Sequence, residues 1–160
     1  MSPPTDGFGE QDGIELVQRL PLFHGLTFDE TRRLFALARL ERHPSGAVLV
    51  EQDALGQALF IVKRGRVRVL RDGLAVGALG EGELFGEMSL VEDLFTSARV
   101  EAEGEVELVV LPRRPFEQLV AGDLALAVKV YRAFCRTLSD RLRRANQALP
   151  AAQRLGDGVA

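Results

Sequence analysis

Residues 79–100, LGEGELFGEMSLVEDLFTSARV, combine glycines with polar side chains in a pattern that fits a ligand-binding loop. Glycines such as Gly86 allow a tight turn and a close approach of a ligand to the backbone. Residues 87–90 are predicted to form one helical turn, whose free backbone N–H groups would point at an anion. Glu87 fits such a site if it accepts hydrogen bonds from ligand hydroxyls, as a ribose offers. Its alternative role is structural: it caps backbone N–H groups or pairs with an arginine.

No segment of the sequence carries a pattern typical of catalysis. The chain has two histidines and one cysteine, and neither His24 nor His43 has the spacing of a metal ligand. Cys135 falls inside a predicted helix, where packing is its expected role. The nucleophile-elbow pattern G-x-S-x-G and the phosphate-binding pattern G-x-x-x-x-G-K-[ST] are both missing from the sequence. We therefore expect neither an enzyme nor a metal site.

The elements around the glycine-rich segment are mainly strands. From residue 47 to 111, short segments rich in Val, Leu and Ile alternate with glycines, and Asp72-Gly73 is a hairpin signal. This spacing predicts a small barrel or jelly roll. Helices flank it: one is expected over 14–20, one over about 28–40, opened by a Thr27–Glu30 capping box, and one over 116–121.

A long helix is predicted from residue 124 to 148, because this stretch contains no Gly or Pro. An apolar row repeats along it at spacings of four and three, as in a coiled-coil interface. This C-terminal row consists of Leu124, Val128, Tyr131, Cys135, Leu138, Leu142, Ala145 and Leu149, and Ala127, Val130 and Phe134 broaden it. We expect one face of the helix to cover the barrel while the row meets a second copy. The alternative is that the whole stripe covers only the chain's own barrel.

Composition and charge limit the class of protein. A chain of 160 residues with 46% hydrophobic and 27% charged residues fits one globular domain, expected over 14–148 between flexible termini at 1–13 and 149–160. No signal peptide or bilayer-spanning run is present, so we expect a cytoplasmic protein with no membrane contact. Residues 1–128 hold 13 Lys/Arg against 21 Asp/Glu, whereas residues 129–160 hold 7 against 2. An acidic body thus carries a basic tail, which is either a solvated face or a contact surface for an acidic partner.

Several motifs in order resemble the cyclic nucleotide-binding domain of the cAMP receptor protein and Fnr group, also found in kinases and channels. The matching segments are LPLFHGL at 20–26, GQALFIV at 56–62, GRVRV at 65–69 and LGEGELFGEMSL at 79–90. The last matches the family's phosphate-binding cassette. The resemblance implies an eight-stranded double-sheet jelly roll, or double-stranded β-helix, with N-terminal helices and a long C-terminal helix. It also implies that this helix supports dimerisation or signal output.

The cassette departs from the family pattern at one position. The family usually has an arginine there that pairs with the cyclic phosphate, but alignment on Ser97-Ala98 places Thr96 at that position. Losing this charge-assisted hydrogen bond would weaken binding about 10- to 150-fold. Arg99 follows three residues later, where strand alternation predicts a surface arginine paired with Glu101, Glu103 or Glu105. The candidate ligand-binding residues, within a cassette at 82–100, are Gly86, Glu87, Met88, Ser89, Thr96 and Ser97.

Three outcomes stay open for the pocket: weak binding of a cyclic nucleotide such as cAMP, binding of another ligand, or loss of ligand binding. The leading expectation is a small-molecule sensor that signals through the C-terminal helix to an unidentified protein partner. The alternative is a ligand-free dimeric interaction module. About 11 residues follow Leu149, which is too few for a recognition helix, so direct DNA binding is not expected.

Overall fold

The computed structural model describes residue 20 and residues 23–92 and 95–149. The predicted helix over 14–20 and both predicted flexible termini lie outside these residues, apart from Leu20 and Leu149. The helices of the described part are α1 (Phe28–Phe35), α2 (Glu87–Glu92), α3 (Arg113–Gly122) and α4 (Leu124–Gln147). Its strands are β1 (Arg39–His43), β2 (Val48–Val50), β3 (Ala58–Arg71), β4 (Leu74–Leu79), β5 (Leu84–Phe85) and β6 (Arg99–Pro112).

Two strands of 14 residues, β3 and β6, form the centre of an antiparallel sheet. They pair from Ala58 opposite Pro112 to Leu70 opposite Arg99. β1 and β2 add to β6, while β4 and β5 add to β3. Asp72 and Gly73 both adopt positive φ, 51° and 78°, in the tight turn between β3 and β4, which confirms the predicted hairpin.

The predicted jelly roll is confirmed as a class, with a different strand count. Six strands are found in the described residues, and they form one sheet that is not closed into a barrel. The glycine-punctuated pattern predicts a break at Gly65, but residues on both sides of this glycine belong to the single strand β3. Gly65 has φ 91°, and the pairing with β6 shifts register around it. The glycine therefore forms a bulge instead of a turn.

The first helix is shorter than predicted. The capping box is confirmed, because Thr27 N–H donates to Glu30 Oε1 (2.9 Å) and Glu30 N–H donates to Thr27 Oγ1 (3.2 Å). The helix ends at Phe35 instead of near residue 40, because the backbone from residue 39 pairs with β6 as β1. Phe28, at the start of the helix, is 70% exposed, whereas Leu34 is buried.

Two apolar clusters fill the interior. The first lies between the sheet and the helices and includes Ile61, Phe116 and Phe134. The second is formed within the sheet and includes Val67 and Leu108. Helix α3 begins at Arg113, three residues earlier than predicted, and Pro115 falls in its first turn, where a missing N–H costs nothing.

Helix α4 presents two different faces. Its buried residues are Leu126, Ala127, Val130, Ala133 and Phe134, which pack on the body. The C-terminal row is mostly exposed: Leu124 by 77%, Val128 by 56% and Leu142 by 62%. The alternative in which the whole stripe covers the chain's own barrel is therefore wrong.

Candidate functional site

A cavity of about 430 Å³ lies between the cassette, the sheet and the end of α4. The hairpin β3–β4 forms one wall, the segment around α2 forms another, and α4 covers the space. Its lining residues are Val50, Val69, Val76, Gly77, Ala78, Leu79, Phe85, Gly86, Glu87, Met88, Ser89, Thr96, Ser97, Ala98, Val100, Arg141, Arg144, Ala145 and Ala148. All six residues proposed from the sequence line this one cavity.

Two glycines allow the cassette to lie directly against the sheet. Gly86 has φ 88°, and a Cβ at this position would come within 2.6 Å of the Ala58 carbonyl oxygen on β3. A Cβ on Gly56 would meet Oγ of Ser89 at 2.2 Å. Because these two glycines lack side chains, α2 can lie close against the sheet. Ser89 is also occupied, because its Oγ donates to the Gly86 carbonyl oxygen at 3.0 Å.

Glu87 is 1% exposed, and its carboxylate pairs with the guanidinium of Arg141 on α4. Burial raises the pKa of the Glu87 carboxyl above its usual range, while the charge of Arg141 opposes that rise. The structural alternative given for Glu87, pairing with an arginine, is therefore present in this structure. The carboxylate still lines the cavity, so the pairing and a ligand contact involve the same group.

Thr96 lines the cavity, but its hydroxyl is engaged by backbone groups. It donates to the Glu51 carbonyl oxygen and accepts from the Ala54 N–H at 3.0 Å. The backbone N–H of Thr96 also donates to the Ala54 carbonyl oxygen at 2.8 Å. Thr96 thus joins the end of the cassette to the loop before β3. Met88 and Ser97 are exposed and contribute to the cavity wall.

Arg99, three residues beyond Thr96, does not line the cavity. Its Nε lies 2.9 Å from Glu101 Oε1, and its Nη1 lies 4.0 Å from Glu51 Oε2. The prediction of a surface arginine paired with a nearby glutamate is confirmed. Among the described residues of the cassette, no arginine therefore lines the cavity.

Helix α4 brings cations to the cavity that were not among the residues predicted from the sequence. Arg141 contacts Glu87 and also donates to the Leu84 carbonyl oxygen. Arg144, one turn further, donates to Glu83 Oε1 at 3.2 Å. The basic charge of residues 129–160 and the i,i+3 spacing of these arginines were visible signals. Which carboxylates they meet depends on contacts across more than 50 residues, which no local pattern encodes.

No group of three or more His, Cys, Asp or Glu side chains among the described residues is arranged to hold a metal ion. None of the helices in the described part is long and apolar enough to cross a bilayer.

Comparison with known proteins places these features in a family. Residues 40–123 match the model of the cyclic nucleotide-binding domain. The cyclic AMP receptor protein of Thermus thermophilus is 38% identical over 105 residues, which cover 62% of this chain and 49% of that protein. Glutaminase 1 of Bradyrhizobium diazoefficiens is 33% identical over 127 residues, or 79% of this chain and 21% of that protein.

A solved structure gives the same assignment. A cyclic nucleotide-binding domain from Methylobacillus flagellatus KT superposes with a TM-score of 0.76 at 25% identity, covering 87% of this chain and 81% of that one. The chain thus spans about half or less of the two curated relatives named above. The family match covers just over half of the chain and includes α2, so the chain belongs to the cyclic nucleotide-binding domain family.

Proposed function

We propose that this domain is a small-molecule sensor that binds a cyclic nucleotide, such as cAMP, or a related ligand in the cavity under α4. One observation carries the proposal. The cavity of about 430 Å³ brings Gly86, Glu87, Met88 and Ser89 of the cassette together with the end of α4. A ligand seated there touches the cassette and the helix at once, so binding and helix position become coupled. The proposal includes no cofactor besides this ligand.

Output through α4 follows from how that helix is held. Its first half packs on the apolar core, whereas its second half lies over the cavity. A ligand shifts the helix to the extent that it binds one helix position better than another. The signal then passes to another protein along the exposed C-terminal row, including Val128 and Leu142, which also fits a homodimer contact.

The test is calorimetric titration with cAMP, cGMP and cyclic dinucleotides, together with thermal melts. A ligand present at about 100 times its Kd stabilises the domain by about 2.7 kcal/mol, which is a measurable shift in melting temperature. Heat release and a raised melting temperature support the proposal. No heat and no shift at millimolar ligand would reject it.

A matched pair of variants assigns the binding to the cassette. Glu87→Gln keeps the volume of the side chain but removes the carboxylate acceptor, so we expect binding about tenfold weaker or more. Glu92→Gln makes the same change at the exposed end of α2, away from the cavity, and should bind like the parent. Equal affinities for the two variants would place the ligand elsewhere.

A second candidate function, a ligand-free dimeric interaction module, is favoured by a different observation. Thr96 stands where the family usually has an arginine, and its hydroxyl is engaged by the backbone of Glu51 and Ala54. Under this hypothesis the titrations are silent, but the domain still self-associates through α4. Because both functions are compatible with self-association through α4, ligand binding is the measurement that separates them, and oligomeric state is measured on the same sample.

A further inference from the structure

The second half of α4 is held to the body by charges. Every buried residue of the helix lies at or before Phe134, and no residue from 139 to 149 is buried. Two arginines in this half pair with carboxylates at the first residue of α2 and just before it. Arg141 pairs with Glu87, and Arg144 pairs with Glu83. Two carboxylate–guanidinium pairs thus hold the second half of α4, which covers the cavity, to the cassette.

Arg141 has more hydrogen-bonding capacity than its contacts use. A guanidinium carries five N–H donors in a fixed plane. One Nη donates to Glu87 and the other to the Leu84 carbonyl oxygen. The Nε of Arg141 is buried and finds no acceptor among the described residues. A buried unpaired donor on a cation that lines a cavity is a position where an anionic oxygen would be stabilised.

We propose that Arg141, carried by α4 instead of the cassette loop, is the anion-binding group of this pocket and is held by Glu87 until a hydroxylated anion displaces it. The proposal rests on the proposed function, because it names the group that replaces the arginine missing at Thr96. In the complex, ligand hydroxyls donate hydrogen bonds to the carboxylate of Glu87, and the ligand anion pairs with the guanidinium of Arg141.

The exchange requires both chemical groups on one ligand. Separating Glu87 from Arg141 leaves a buried carboxylate without its cation, which is costly unless hydroxyl donors replace it. A neutral hydroxylated ligand satisfies Glu87 but leaves Arg141 without an anion. An anion without hydroxyls satisfies Arg141 but leaves Glu87 unpaired. The pocket therefore selects ligands that carry a hydroxyl and an anionic group together, as a ribose phosphate does.

Three probes separate these requirements: cAMP has both groups, adenosine lacks the anion, and 2′-deoxy-cAMP lacks the hydroxyl. We expect the full chain to bind cAMP at least about tenfold more tightly than either analogue, as loss of one charge-assisted hydrogen bond predicts. Equal affinity for cAMP and adenosine overturns the proposal while leaving ligand binding intact. If none of the probes binds, the proposed function itself fails, and the inference fails with it.

Variants assign the anion preference to Arg141. Arg141→Met keeps much of the side-chain length but removes the charge, so its preference for cAMP over adenosine should fall below about threefold. Arg143→Met is the matched control: it removes the same charge from the same helix, at an exposed arginine that pairs with Asp140 outside the cavity. It should keep the parent's preference. Tighter or unchanged cAMP binding by Arg141→Met overturns the proposal.

Two measurements protect the test against a folding artefact. The double variant Glu87→Gln/Arg141→Met carries no unpaired buried carboxylate, and it should also fail to distinguish cAMP from adenosine. In the absence of ligand, amide hydrogen exchange over residues 139–149 should be faster in Arg141→Met than in Arg143→Met, because only the first releases the helix end. Equal exchange in the two variants overturns the fastening role of Arg141.

Discussion

At the scale of single residues, the cassette shows how one departure from a family pattern changes a side chain's role. Thr96 occupies the position expected for a phosphate-binding arginine. Its hydroxyl instead joins two backbone groups, the Glu51 carbonyl and the Ala54 N–H. A side chain that is 8% exposed and makes both contacts contributes to the shape of the loop. The stabilising role of Thr96 can therefore be tested separately from ligand binding.

Replacing Thr96 by valine preserves its shape and removes its hydroxyl. The Glu51 carbonyl and the Ala54 N–H then lose their partner, so we expect Thr96→Val to lower the free energy of unfolding by about 1–3 kcal/mol. Thr96→Ser keeps the hydroxyl and is the control, with a smaller loss from the missing methyl group. Urea denaturation of the three proteins measures the difference. A valine variant as stable as the serine variant would show that the hydroxyl contributes nothing.

At the scale of elements, α4 is tied to α1 by two ion pairs. Lys129 Nζ lies 2.5 Å from Glu30 Oε1, and Arg33 Nη2 lies 2.7 Å from Asp123 Oδ2. Both carboxylates also cap helices, because Glu30 completes the box at the start of α1 and Asp123 Oδ1 accepts from the Leu126 N–H. The same carboxylates that begin the helices therefore fix how the helices pack.

The pair of Glu30 with Lys129 predicts a pH-dependent contribution to stability. The hydrogen bond from Lys129, followed by that from the Thr27 N–H, lowers the pKa of Glu30 below its usual value of 4.5. A carboxyl group whose pKa is lowered by folding stabilises the fold at pH values above its pKa in the unfolded chain. This stabilisation is lost as the pH falls through the pKa of the folded state. Lys129→Met should therefore cost about 0.5–1 kcal/mol above pH 5, the size typical of partly exposed pairs. The gap to the parent should shrink as the pH falls below about 4.5.

The control for this prediction is Arg136→Met, which removes an equal charge from an exposed position of the same helix. Its difference from the parent should stay constant across the same pH range. Unfolding free energies from denaturant titrations at several pH values provide the comparison. Parallel curves for the parent and Lys129→Met would contradict the assignment of Glu30 as the titrating group.

The sheet shows a second use of charge at the element scale. Arg66 and Arg68 on β3 lie directly opposite Glu103 and Glu101 on β6. The corresponding N–O distances are 3.9 Å and 3.1 Å. Opposite charges at facing positions favour this register over a one-residue slip, which would turn these side chains into the core. Arg66 and Arg68 are exposed on either side of the buried Val67, as expected for a strand with one solvent-facing side.

At the scale of the whole molecule, several helices and turns could be predicted from neighbouring residues in the sequence. The composition of the cavity depends on contacts between distant segments. The capping box, the Asp72-Gly73 hairpin and the extent of α4 follow from neighbours within a few residues. The short first helix, the continuous β3 and the arrival of Arg141 at Glu87 depend on pairing between distant segments. The six candidate residues line one cavity because they are contiguous or nearly so in the sequence. Arg141, which completes the cavity beside Glu87, lies 54 positions further along the chain, on α4.

The structure also shows where the basic C-terminal residues contact the acidic remainder of the chain. Three basic residues of α4, Lys129, Arg141 and Arg144, meet carboxylates of the acidic body. These three contacts hold the helix along its length to α1 and to the cassette. The acidic body and basic tail are thus partly neutralised within one domain. What α4 leaves uncovered is an apolar row with exposed arginines beside it.

That row predicts a homodimer. Leu124, Val128 and Leu142 are exposed by 77%, 56% and 62%, and the four–three spacing places them along one line of the helix. Val128→Glu and Leu142→Glu would each force a charge into such an interface, so we expect each to weaken self-association at least about tenfold. Gln147→Glu adds the same charge on another side of the helix and should associate like the parent. Sedimentation equilibrium measures this directly, and a parent that is monomeric at micromolar concentrations would contradict the prediction.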